Sequence, residues 1–247
     1  MIPILMRRIL FYICFLFVSI LSIHAQESKD QDSIPQEEKI VVPDTIPIQR
    51  YISIGMDLTG PFKQLAFDRF RSDNEFSVSF HCFKKFNLTS EFGFLNINEN
   101  VTINESNELK SQYNYLASGK FVNLGFDYNI FKKNKPGERN MVFFGLRYGF
   151  STLKHSASNI FIEDPYWGNS TNNNFPETTV TAQWIEVAGG LRVYLFKNVA
   201  LGWSGRYRIL THSTNIGIVN PIIIPGFGNG GNTTVWGFNY SIYITIP

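Results

Sequence analysis

The sequence predicts an all-β chain: an eight-stranded antiparallel up-and-down transmembrane β-barrel with short periplasmic turns and long extracellular loops. Three observations predict it. Hydrophobicity over residues 51–247 alternates with a period of two, the connections alternate between short and long, and the face opposite the apolar one carries glycines and charges of both signs. Composition agrees. Of 247 residues, 44% are hydrophobic and 17% charged, with 22 basic against 20 acidic side chains, which excludes a disordered chain, a collagen and a basic nucleic-acid binder. Aromatic residues at 15% with only four Met argue against a helical bundle.

Residues 1–25 read as a cleaved export signal. Arg7 and Arg8 give the positive start, Ile9 opens an apolar run of 15 residues, and Ala25 precedes polar Gln26. At ~1.5 Å per residue that run spans ~22 Å, short of a ~30 Å hydrocarbon core. Cleavage removes two arginines and no acid, leaving equal numbers of basic and acidic residues, and leaves Cys82 without a disulfide partner in the chain. Residues 26–50, rich in acids, Gln and Pro and without a sustained period, read as a flexible periplasmic tether. Its IVVP and TIPI patches could alternatively be a partner-binding strand.

The barrel is expected over residues 51–247. In the first segment Ile52, Ile54, Met56 and Leu58 alternate with Ser53, Gly55, Asp57 and Thr59. The second sets Phe76, Val78, Phe80 and Cys82 against Glu75, Ser77, Ser79 and His81, and the third sets Leu88, Phe92 and Phe94 against Thr89, Glu91 and Gly93. The fourth alternates Val122, Leu124, Phe126, Tyr128 and Ile130 with Asn123, Gly125, Asp127 and Asn129. In the fifth, Val142, Phe144, Leu146, Tyr148 and Phe150 oppose Phe143, Gly145, Arg147 and Gly149. The sixth has Ile185, Val187, Leu191 and Val193 against Glu186, Ala188, Gly190 and Arg192. A Lys197-Asn198 turn leads to the seventh, where Val199, Leu201, Trp203, Tyr207 and Ile209 oppose Gly202, Ser204, Arg206 and Arg208. The eighth ends the chain with Trp236, Phe238, Tyr240, Ile242, Ile244 and Ile246. Short turns follow segments two, four and six, and long loops at 61–73, 96–116, 155–178 and 212–233 follow the odd ones.

The opposite face decides which side is out. Glycine on a solvated strand face weakens the strand, whereas inside a narrow barrel it makes room for long side chains. That face carries Asp57, Glu91, Asp127, Arg147, Glu186, Arg192, Arg206 and Arg208, which must pair if buried. If segments six and seven meet with Ile185 beside Ile209, Glu186 falls opposite Arg208 and Arg192 opposite Gly202. A lumen filled in this way leaves no open pore. Trp203, Tyr207, Trp236 and Tyr240 are candidates for the interfacial girdles. The alternative is a soluble periplasmic barrel with a solvated charged face.

The runs LGFDYNIF (124–131), MVFFGLRYGFST (141–152), QWIEVAGGLRVYLFKNVALGWSGRYR (183–208) and IIIPGFG (222–228) resemble a family of uncharacterised outer-membrane β-barrels of Bacteroidetes, a domain of unknown function. The resemblance implies fold and outer-membrane localisation and supplies no catalytic residues. The last segment, WGFNYSIYITIP, also resembles the terminal signal by which such barrels are recognised for insertion, although it ends without a terminal Phe.

No phosphate-binding loop, dinucleotide fingerprint, metal spacing or nucleophile elbow occurs, so no cofactor or metal is expected. The one catalytic arrangement to consider is His155 with Ser156 and His212 with Ser213, each where a strand leaves for a long loop. Brought together at the rim, with Glu163 or Asp164 orienting the base, they would form a lipid hydrolase. The plainer reading is two polar loop starts. Aromatic and aliphatic loop residues at 164–168 and 222–227 could bind a protein or glycan, or fold back over the barrel mouth. The expected role is therefore structural or interactive, with outer-membrane lipid and an unidentified periplasmic or surface protein as partners. A second role is that of an accessory barrel for secretion or envelope assembly.

Overall fold

In the computed structural model the described residues are 50–66, 71–81, 83, 85–105, 109–131, 138–164, 168–214 and 220–246. All belong to the compact unit Ile46–Pro247. The expected export signal and almost all of the tether lie outside the described residues, as does Cys82.

The chain forms β1 (Tyr51–Asp57), β2 (Arg71–His81), β3 (Phe86–Glu105), β4 (Leu109–Asn129), β5 (Met141–Asp164), β6 (Gly168–Tyr194), β7 (Val199–Ser213), the short β8 (Ile223–Ile224) and β9 (Gly228–Asn229), and β10 (Thr234–Ile246). Strands β1 to β7 and β10 close an eight-stranded barrel, and β8 with β9 makes a separate small hairpin. Each stave pairs antiparallel with its neighbours in chain order, and β1 meets β10 with Ile52 opposite Ile246, so no stave is left as an edge. The β6·β7 ladder pairs Ile185 with Ile209, Glu186 with Arg208 and Arg192 with Gly202.

Period-two alternation gives the wall two opposed surfaces. Outward side chains are large and apolar, as with Leu124 at 60% exposure and Phe144 at 52%. Inward ones are charged and buried, as with Glu186 at 0% and Glu91 at 2%. On β5 the outward apolar run covers residues 142–150; nine residues rising ~3.3 Å each at a ~40° tilt span ~23 Å. Of the girdle candidates, Trp236 and Tyr207 face each other one step from the polar end of their strands, with ring centroids 4.6 Å apart. Trp203 and Tyr240 pair in the middle of the belt, because further outward pairs lie on either side of them.

The expected long loops need correction. The described residues within 96–116 and 155–178 are strand and not loop: β3 and β4 stay paired to Glu105 and Leu109, and β5 and β6 to Asp164 and Gly168. The cause is a change of phase. Below the boundary the apolar residues point out (Phe92, Phe94); above it they point in (Leu95, Ile97, Tyr115, Leu153), and most outward positions become Asn, Ser, Thr and Lys, Leu116 excepted. The first loop contains helix α1 (Thr59–Ala66), started by Asp57, whose Oδ1 accepts the Thr59 amide at 3.2 Å, with Pro61 in the first turn. The last loop contains the β8–β9 hairpin, with Ile223 opposite Asn229.

Candidate functional site in the charged lumen and its cap

The lumen is assembled from inward positions of six strands. Arg147 on β5 reaches Glu186 at 2.9 Å, Asp127 at 3.0 Å and Glu91 at 3.5 Å. Arg206 on β7 makes two 3.0 Å hydrogen bonds to Glu91 and a 2.8 Å ion pair with Glu75. Arg208 donates Nε to Glu186 at 2.6 Å, so Glu186 neutralises two arginines at once. Asn123 donates to Glu91 and Thr89 to Asp127, occupying further carboxylate lone pairs. These bonds offset much of the cost of taking the charges out of water, although Arg147 Nε, Arg206 Nε and Asn123 Oδ1 are buried without a hydrogen-bond partner.

Glycines supply the space. A Cβ at Gly145 would run into Asp127 Oδ1, one at Gly149 into the Trp184 ring, and one at Gly202 would come within 2.5 Å of Tyr243. Tyr243 in turn supports Arg192, whose guanidinium lies 3.7 Å from the ring centroid and within 3.4 Å of Ser79 and His81. Arg192 therefore sits toward the turn end, among aromatic and hydroxyl groups rather than carboxylates. Asp57 lies at the other mouth and accepts only the α1 amide among the bonds described.

That mouth is capped. The β8–β9 turn carries Ile224 and Phe227 inward against Phe121, Ala182 and Trp184. Gly226 at φ +72° and Gly228 at φ +121° allow the reversal, and Arg208 Nη1 donates to the Phe227 carbonyl at 3.3 Å. Of the two alternatives for residues 222–227, the structure shows folding back. Above the cap, Leu95, Ile97, Tyr115 and Leu153 form the inner face of the raised hairpins, covered by Ile222 and Ile223. Burial pushes the Tyr115 hydroxyl up to about 12, and the Ile222 amide donates to it at 3.3 Å.

The eight expected lumen charges all lie inside the barrel wall. Sequence reasoning set Glu75 on the inward face without counting it among the paired charges, and passed over Tyr243, which supports Arg192, and Trp184, which packs under the cap. Tyr243 and Trp184 share the parity of residues already assigned inward on their strands, which is the signal that could have found them.

The His–Ser arrangement does not form. His155 pairs with Thr178 and His212 with Gln183, five residues apart on β6, or ~17 Å, and β5 and β7 flank that strand on opposite sides. His155 is buried between Tyr115 and Phe175, while His212 is exposed. The side chains of Glu163 and Asp164 lie outside the described residues. No cluster of three or more His, Cys, Asp or Glu able to hold a metal occurs among the described residues.

Among curated proteins none matches the chain. Solved structures similar to it include Ail, the attachment invasion locus protein of Yersinia pestis, at 12% identity and TM-score 0.36, covering 80% of this chain and 97% of that one. Neisserial surface protein A is similar at 8% identity and TM-score 0.29, covering 79% of this chain and 94% of that one. A major outer membrane protein from Thermus thermophilus is similar at 10% identity and TM-score 0.37, with coverages of 80% and 98%. Likeness at these scores adds nothing to the barrel, which stands on its own strand pairing. Over residues 6–247 the chain matches, and belongs to, a family defined as a domain of unknown function, DUF6048.

Proposed function

We propose that the chain is an integral outer-membrane barrel with a side-chain-filled lumen, serving a structural or interaction role rather than passing solutes. The carrying observation is the inverted burial: arginines and carboxylates inside, Phe, Leu and Ile outside, on a sheet without an edge. Water could not hold that arrangement, because the outward belt would remain exposed; a bilayer removes it from water and demands the closed hydrogen-bonding of a barrel. The turn end faces the periplasm and the raised β3–β4 and β5–β6 hairpins face outward, where their polar flanks are available to a surface partner. Cysteine labelling on intact cells tests this orientation. In a Cys82→Ser background, Asn100→Cys on the raised hairpin reacts with an impermeant maleimide and Lys197→Cys at the short turn does not; the reverse pattern would overturn it.

A further inference from the structure

The strand register locates the upper boundary of the apolar belt to two rows. Phe92, Val122 and Phe150, with Gln183 on β6, share one outward row, and the row above it is Phe94, Lys120, Thr152 and Thr181. The next is Asn96, Ser118, Lys154 and Thr179. Large apolar chains thus give way mostly to ammonium, amide and hydroxyl groups over two rows, with Leu116 the exposed apolar exception above them, and the sheet continues upward as a wall instead of ending in loops. Lys120 and Lys154 are diagonal neighbours across the β4·β5 ladder, ~7–8 Å apart at the backbone. Lys154 shares its charge with Glu177 at 3.1 Å, both ends being more than half exposed. Lys120 is exposed and makes no ion pair among the described residues. Alongside Lys154 lies a groove of about 380 Å³ whose polar lining includes Asn96, Asn98 and Ser118 and whose apolar lining includes Leu116 and Ala117, with Glu177 at its side.

We infer that this shelf binds the phosphorylated sugar headgroup of an outer-leaflet glycolipid, an inference that rests on the outer-membrane reading above. Phosphate is met by Lys120 and Lys154, sugar hydroxyls by the polar part of the groove lining, and the acyl chains by Val122 and Phe150 beneath and Phe94 beside Lys120. A single molecule satisfies all three surfaces only if it carries anionic, hydroxylated and hydrocarbon parts together. A soluble phosphate would use the first alone. Each lysine near a membrane surface is worth about five-fold in affinity for an anionic lipid.

The test uses the full chain in phosphatidylcholine nanodiscs holding a small fraction of a bis-phosphorylated diglucosamine glycolipid or its dephosphorylated form. Glycolipid retained after detergent extraction is read by mass spectrometry. The phosphorylated form is retained preferentially, the double variant Lys120→Gln with Lys154→Gln loses about an order of magnitude of that preference, and Glu177→Gln raises it several-fold by freeing Lys154. Equal retention of both forms, no effect of the double variant, or equally tight binding of soluble glucosamine 1-phosphate would overturn the inference. Insertion is followed in parallel by heat-modifiable gel mobility. A chain that never inserts overturns the outer-membrane reading, whereas an inserted chain without headgroup preference overturns this inference alone.

Discussion

Glu186 has no exposed surface and holds Arg147 and Arg208 from its two oxygens. Removing it leaves two guanidiniums in the lumen short of a carboxylate, and breaking a buried pair in this way costs about 3–5 kcal/mol. Glu186→Ala should therefore lower the stability of the vesicle-inserted barrel in a urea titration by that order, while Glu177→Ala on the exposed flank should shift it by less than about 1 kcal/mol. Glycine positions are constrained from the opposite direction. Gly202→Ala pushes Tyr243 off Arg192 and should cost about 1–3 kcal/mol in the same titration. Residues such as Glu186, Arg208 and Gly202 were legible in the sequence because parity and a short turn fix the β6·β7 register together. The role of Glu75 was not, because its pairing with Arg206 crosses the lumen between strands far apart in the chain, and no local pattern encodes that distance.

The raised hairpins show where local reading stops working. Apolar residues change sides at the Phe94-Leu95 and Trp184-Ile185 steps, so a scan for continuous alternation breaks there and reports a loop, although the backbone ladder runs on without interruption through β3 and β4. Inside that sheet His155 is buried, with neither ring nitrogen hydrogen-bonded, beside Tyr115 and Phe175; no charged side chain among its described contacts faces it. Burial holds its pKa below the ordinary 6.5. The opened hairpin therefore takes the proton first. Its packing is fully stable above pH ~6.5 and is lost as pH falls through that value toward the depressed one. Amide exchange along residues 152–160 should accelerate from pH 7 to pH 5 relative to its intrinsic rate, and His155→Leu should abolish the acceleration. The cap is a separate element, held by Ile224 and Phe227 rather than by strand pairing to the barrel. Phe227→Ala should leave the barrel folded but render residues 220–233 sensitive to external protease, since losing a buried Phe costs about 3–5 kcal/mol.

As a whole molecule the chain inverts the usual arrangement of a soluble domain. Its stability rests on ladders that leave no edge and on a lumen whose charges neutralise one another, with apolar burial supplied by the surroundings. A lumen blocked by the Arg147–Glu186–Arg208 cluster and capped by Phe227 should show no stable large conductance in planar bilayers. The central claim is that the Phe- and Leu-rich outer wall faces hydrocarbon, and membrane fractionation with heat-modifiable mobility tests it most directly. The expected result is a chain that stays with carbonate-washed outer membranes, needs detergent for release, and migrates faster unboiled than boiled. A monodisperse protein in detergent-free buffer, with the same mobility before and after boiling, would contradict it.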